Sequence, residues 1–91
     1  MSDHSAHQSD PARRRRLRWR ARRGLLENDL VLTRFFERYE ASLSDDDVDA
    51  LTRLFDLPDN DLLNLIMGRQ QPEDELDRAS VHAIIEKLRT V

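Results

Sequence analysis

The sequence predicts an all-α fold, a small single-domain bundle of about five helices with short loops. Three observations carry this expectation. No segment sustains period-two alternation, and no hairpin dipeptide is present. Apolar residues recur instead at three- and four-residue spacing. Helix-start signals also recur along the chain, at Asp10-Pro11, Ser44 to Asp47, Pro58-Asp59 and Pro72-Glu73.

The elements follow in order. Met1 to Asp10 is polar and patternless, and residues 1–11 read as a disordered tail before a helical domain over 12–91. His4 and His7 lie in that tail without a third ligand, so a metal site there is not expected. Asp10-Pro11 places an N-cap before proline at the first helical position. The first helix then runs over Ala12 to Arg23 with only Leu17 and Trp19 as large apolar residues. Such a helix needs docking, and Trp19 is expected to pack on the body under arginine stems.

Leu25 to Ala41 forms the second helix. Leu26, Leu30, Thr33 and Glu37 trace one row, and Leu32, Phe35, Phe36 and Tyr39 a wider stripe read as core. Ser44 with Asp47 three residues later is a capping box. Val48, Leu51, Leu54 and Phe55 form the buried face of the third helix, which ends at Leu57 because Pro58 disfavours helix before it. The fourth helix starts at Pro58 and stops at Gly68, a natural C-cap. Pro72 with Glu73, Asp74 and Glu75 is read as the start of the fifth helix, with Leu76, Val81, Ile84, Ile85 and Leu88 inward and His82 beside them at the surface. Connections of two to four residues are expected between the helices.

A chain of 91 residues builds one core and leaves no room for a buried active-site cavern. With no cysteine, it has no disulfide, zinc-thiolate or thiol-nucleophile chemistry. No apolar run is long enough to span a bilayer, and the N-terminus has no secretory apolar region. The net charge of -3 conceals two regimes: residues 1–26 hold eight arginines and two aspartates, and the remainder seven basic and sixteen acidic residues. There is no phosphate-cradling glycine loop, nucleophile elbow or helical histidine pair, so function is expected in a surface rather than a catalytic pocket.

Two surfaces stand out. One is the arginine run Arg13 to Arg23 around Trp19. It can grip nucleic acid through phosphates and stacking, form a solvated helix face, or dock on an acidic protein groove. The acidic body behind it argues against a polyanion. The other is Arg23-Gly24-Leu25-Leu26-Glu27-Asn28-Asp29, where the charge regimes meet. Gly24 breaks the helical pattern and can take φ > 0 as a helix C-cap. On a continuous helix Arg23 and Glu27 would pair across four residues; around a break at Gly24 both can point outward from a corner.

At this corner the sequence resembles a known family. Arg-Gly-x-x-Glu-x-Asp-Leu-x-Leu-x-x-Phe, here Arg23 to Phe35, is similar to the signature of the FAD assembly factors of succinate dehydrogenase, the SdhE family of bacteria and its mitochondrial relatives. Phe36, Tyr39 and Leu43-Ser44-Asp45 continue the likeness, and Leu54 to Asn64 resembles the family's acidic Leu-Leu-x-x-Pro-Asp-x-Asp-Leu-x-Asn segment. The likeness covers residues 19 to 77. Two departures stand out. Leu65 replaces the aromatic usual after the asparagine, which is expected to affect core packing. Asn28 replaces a large apolar residue beside the corner, where it is expected to bear on partner affinity.

The resemblance implies a five-helix bundle that is not an enzyme. It implies a chaperone binding the flavoprotein subunit of succinate dehydrogenase, and often of fumarate reductase, to promote covalent attachment of FAD to a histidine of that subunit. It implies no cofactor of the chain's own and a bacterial cytoplasmic setting. A monomer is expected because the aromatic content is low, and no nucleic-acid partner because the body is acidic. The resemblance also implies partner contacts at Arg23, Gly24, Glu27 and Asp29: Gly24 for close approach, Arg23 pairing with the partner, Glu27 contacting the partner or orienting Arg23, and Asp29 explained in part by its place in a first turn. The alternatives are a generic helical interaction module and a nucleic-acid or ribosome accessory protein using the arginine arm.

Overall fold

The computed structural model describes residues 6–91 and contains, among them, five α-helices, two 3₁₀ turns and no strand. The helices are α1 Pro11–Arg20, α2 Leu26–Tyr39, α3 Asp45–Phe55, α4 Asp59–Ile66 and α5 Ala79–Thr90, with 3₁₀ turns at Glu40–Ser42 and Asp74–Leu76. The radius of gyration is 12.6 Å. Helix α5 lies chiefly on α3 and also meets α2 and α4, while α1 lies across α3. Leu32 and Phe35 of α2, Leu51 and Leu54 of α3, Leu62 and Leu65 of α4, and Val81, Ile84 and Leu88 of α5 close the core. Phe35 stands edge-on to Phe36 with ring centres 5.6 Å apart, and Leu65 is a core residue.

The helix signals read from the sequence mostly sit at the observed ends. Asp10 accepts hydrogen bonds from the amides of Ala12 and Arg13 ahead of Pro11. Ser44 and Asp47 form a full capping box. Gly68 takes φ +76 directly after α4, and Arg89 donates to the freed carbonyls of Leu65 and Ile66.

The fifth helix differs from expectation. Asp74 sits at φ +53, a left-handed conformation that helix cannot propagate through. Glu73 to Glu75 therefore belong to a separate turn, and α5 starts at Ala79 without a side-chain cap. The connection from α4 to α5 occupies residues 67–78 rather than two to four residues. Pro72 is buried in it. His82 is exposed and bonds Asp77 at 2.9 Å.

Trp19 also differs. It is 72% exposed, whereas Leu17 and Ala21 are buried. Those two are four residues apart and form the docked face of α1. Trp19, two residues from each, is rotated by about 200° to the opposite side. The arginine stacking does occur: the Arg22 guanidinium lies 5.8 Å from the Trp19 ring centre. It happens in solvent rather than against the body. Docking comes instead from Leu17, from Arg18 pairing with Glu40 at 2.7 Å, and from Arg20 pairing with Asp56.

Residues 6–10, assigned from sequence to a disordered tail, lie on the bundle, while His4 falls outside the described residues. The amides of Ala6 and His7 donate to the Asp45 carboxylate, and the Gln8 side chain donates to the carbonyls of Glu40 and Leu43. The physical reason is the first turn of α3, whose acid offers acceptors to a passing backbone. His7 is buried. That burial, aided by the Arg13 charge and opposed by Asp45, holds its imidazole below the ordinary pKa. A lowered histidine pKa favours the neutral folded form, so docking is complete above about pH 6.5 and weakens as pH falls below it. Amide exchange at His7 is expected to accelerate, beyond its intrinsic pH trend, between pH 7.5 and pH 5.5 or so. His7→Phe should remove that extra acceleration. Equal protection at both pH values would refute the linkage.

Candidate functional site

The corner between α1 and α2 is built by residues from two distant parts of the chain. Helix α1 ends at Arg20 with Ala21 as its cap, three residues before Gly24, so the glycine is not a helix C-cap. Gly24 also lacks the positive φ expected of it; Gly68 is the glycine that has one. Gly24 is exposed, and a Cβ built on it would meet its nearest neighbour, Asp59 Oδ2, at an ordinary 3.6 Å. Nothing inside the fold requires glycine here.

Arg23 does not point outward. Its side chain is only 11% exposed. Nε bonds Asp59 Oδ1, and the terminal nitrogens donate to the carbonyls of Phe55, at 2.9 Å, and Leu57. The guanidinium thus caps the C-terminal turn of α3 and clamps it to the start of α4. Neither sequence alternative for Arg23 holds: it does not pair with Glu27, and it is not displayed for an outside acid. Its role in the corner is to set the path of the backbone that presents Gly24.

Asp59 completes the clamp. Its second carboxylate oxygen accepts from the Leu25 amide at 3.1 Å, and its backbone carbonyl accepts from Asn28 Nδ2 at 2.8 Å. The hydrogen bond from Arg23, above all, and that from Leu25 hold the Asp59 carboxyl below the usual carboxylate range, against the opposing effect of burial. Asp29 supports the same turn, accepting from the Arg23 amide at 3.3 Å. Glu27 is exposed and makes no ion pair among the described residues. Of the four residues singled out from sequence, Gly24 and Glu27 face solvent, while Arg23 and Asp29 hold the turn together.

Asn28 is fully buried and faces the core. It lies four residues before Leu32, so extending the α2 stripe back by one turn locates it there. Its Nδ2 ties α2 to α4, and its Oδ1 is buried without a hydrogen-bond partner. Its effect on the corner therefore runs through this helix–helix tie rather than through direct contact with a partner. Sequence reasoning missed Asp59 because an acid in a helix's first turn is explained by the helix dipole alone.

Beside the corner, α2 exposes Leu26 and Leu30 on one row. Among the described residues no group of three or more His, Asp or Glu is gathered as a metal site, and no helix is long and apolar enough to cross a membrane.

The fold and the corner define a small helical bundle that presents an exposed glycine, an anion without an ion pair among the described residues, and neighbouring exposed leucines. Comparison with known proteins carries the assignment further. A family model described as flavinator of succinate dehydrogenase matches residues 15–91. The FAD assembly factor SdhE of Ralstonia nicotianae is 64% identical over 86 residues, covering 94% of this chain and 90% of that protein. Proteins of the same name from Coxiella burnetii and Pseudomonas aeruginosa are 35% and 31% identical, over 71% and 88% of this chain and 79% and 95% of their own lengths. No solved structure matches the chain significantly. The chain belongs to the family of succinate dehydrogenase flavinators.

Proposed function

We propose that this protein is an assembly chaperone that binds the flavoprotein subunit of succinate dehydrogenase and promotes covalent attachment of FAD to it. Family membership over residues 15–91 is the observation that carries this reading. The protein itself is not an enzyme and carries no cofactor; FAD is attached to the client. It works in the bacterial cytoplasm as a monomer, and the flavoprotein of fumarate reductase is a second client.

The mechanism is differential binding. A chaperone shifts its client only by as much as it prefers one client conformation over another, and each 1.4 kcal/mol or so of preference moves the populations tenfold. The corner suits this task. Gly24 lets the client backbone approach where any side chain would stand in the way. Glu27 supplies an uncompensated anion in the first turn of α2, and Leu26 and Leu30 add apolar area. Arg23 and Asp59 do not reach the client; together with Asp29 they hold the corner in one shape, so that little ordering cost falls on binding.

The test is in-gel flavin fluorescence of the denatured flavoprotein subunit, matured with and without this chain. Denaturation removes non-covalent FAD, so only the covalent adduct fluoresces. Signal that depends on the chain supports the reading, and signal indifferent to it rejects the reading.

A further inference from the structure

We infer that the groove between α1 and α2 is a second docking surface for the same client, and that it takes a short acidic segment of the flavoprotein with an apolar residue set against Trp19. This rests on the chain binding that flavoprotein, as proposed, and it adds a contact along α1 beside the corner. The groove encloses about 1160 Å³ and is walled by Arg14, Arg15 and Arg22 with Trp19 on one side and by α2 on the other.

The arginines of this region fall into two groups. Arg18, Arg20 and Arg23 are neutralised by Glu40, Asp56 and Asp59 and hold α1 and the corner to the body. Arg15, Arg16 and Arg22 are exposed and have no acid partner among the described residues. Arg14 is half-buried, with its Nε shielded from solvent and unbonded. Stability of α1 requires only the first group. Unpaired like charges at Arg15 and Arg16 on one short helix, with Arg22 just past its end, are mildly unfavourable. So is the sole tryptophan left 72% in solvent, the largest apolar surface a side chain offers. Tryptophan flanked by arginine is the composition that dominates binding energy at protein interfaces.

Charge selects the occupant. The body from residue 27 onward carries sixteen acids against seven bases, so an acidic segment is drawn to the α1 side rather than to the body as a whole. Length limits it. Ten residues of α1 extend about 15 Å, room for four or five residues of extended chain. The lining holds five arginines, Arg38 on the α2 side among them, against Asp29, Glu37 and Glu40, and Glu40 is already paired with Arg18, so the groove is net positive. Position joins it to the corner, because Asp29, which lines the groove, also holds the Arg23 amide.

The experiment is calorimetric titration of the purified flavoprotein subunit into wild type, Gly24→Arg and the double variant Arg15→Glu/Trp19→Ala, each at about 50 and 300 mM salt. Circular dichroism serves as the folding control; both side chains of the double variant are exposed, so helicity should be unchanged. The inference expects the double variant to bind roughly tenfold or more weakly at low salt and to lose most of the salt dependence. Unchanged affinity and salt dependence would overturn it. If Gly24→Arg alone weakens binding, the corner reading stands and this inference falls; if the double variant alone does, the groove stands and the corner reading falls. A 20-residue oligouridylate held by wild type but not by the double variant at physiological salt would make the groove a nucleic-acid surface and overturn the inference. So would self-association by light scattering that the double variant abolishes.

Discussion

Gly24→Arg is expected to reduce covalent flavin on the client to background, while the variant keeps wild-type helicity and melting. The fold tolerates the change because Gly24 is exposed, its φ is not positive, and the first added carbon meets Asp59 only at 3.6 Å. The arginine stem then extends into solvent in the free protein and into the client in the complex. A misplaced side chain at the centre of a docking surface costs several kcal/mol, which is roughly two or more powers of ten in affinity. Gly24→Ala separates the two demands. It should leave stability within about 0.5 kcal/mol of wild type, because no backbone strain is introduced, and still slow flavinylation. A Gly24→Arg protein that melts like wild type and flavinylates normally would remove Gly24 from the interface. One that fails to fold would show that the glycine serves the chain's own structure.

Asp59→Ala is expected to destabilise the protein by about 2–4 kcal/mol, because it strands a nearly buried guanidinium and frees the Leu25 amide. For a domain of this size that is a drop in Tm on the order of 10 °C or more. Asp61→Ala is the matched control. It removes an acid from the same first turn of α4, and so the same interaction with the helix dipole, but no side-chain hydrogen bond from Asp61 to the described residues is at stake. It should cost less than about 1 kcal/mol. Equal melting of the two variants would mean that the clamp contributes nothing. The pH dependence has a definite sign. A carboxyl held below its usual range contributes fully above that range and loses its contribution as pH falls through its own lowered value. Near neutral pH the clamp is therefore at full strength, and only strong acid opens it.

How far the sequence could be read depended on the distance over which each feature is decided. The capping box at Ser44, the Asp10-Pro11 start and the Gly68 stop are settled within four residues, and all three stand where the sequence placed them. The α2 stripe of Leu32, Phe35 and Phe36 is buried because one helix face must be. The start of α5 differs from the sequence expectation because the Pro72 signal is local, whereas the chain turns left-handed at Asp74 and makes a separate 3₁₀ turn before α5 begins. Trp19 was misplaced for a similar reason: α1 has a single docked face, and Leu17 with Ala21 occupies it. The motif from Arg23 to Asp29 identified the corner but not the direction of its side chains. Arg23 turns inward because Asp59 waits 36 residues later, a pairing that neither local periodicity nor charge reveals.

By itself, then, the sequence determined the helical class, most helix ends, the face that α2 buries, and the family to which the chain belongs. These follow from period, capping and motif, all of which act over a few residues. The tertiary structure alone decided which members of the motif meet solvent. It turned Arg23 and Asn28 into ties between α2, α3 and α4, left Gly24 and Glu27 outward, and placed Trp19 with Arg14, Arg15 and Arg22 along an open groove. The physical reason is that a side chain's direction is set by where its partner lies, and these partners are brought together only when the bundle closes.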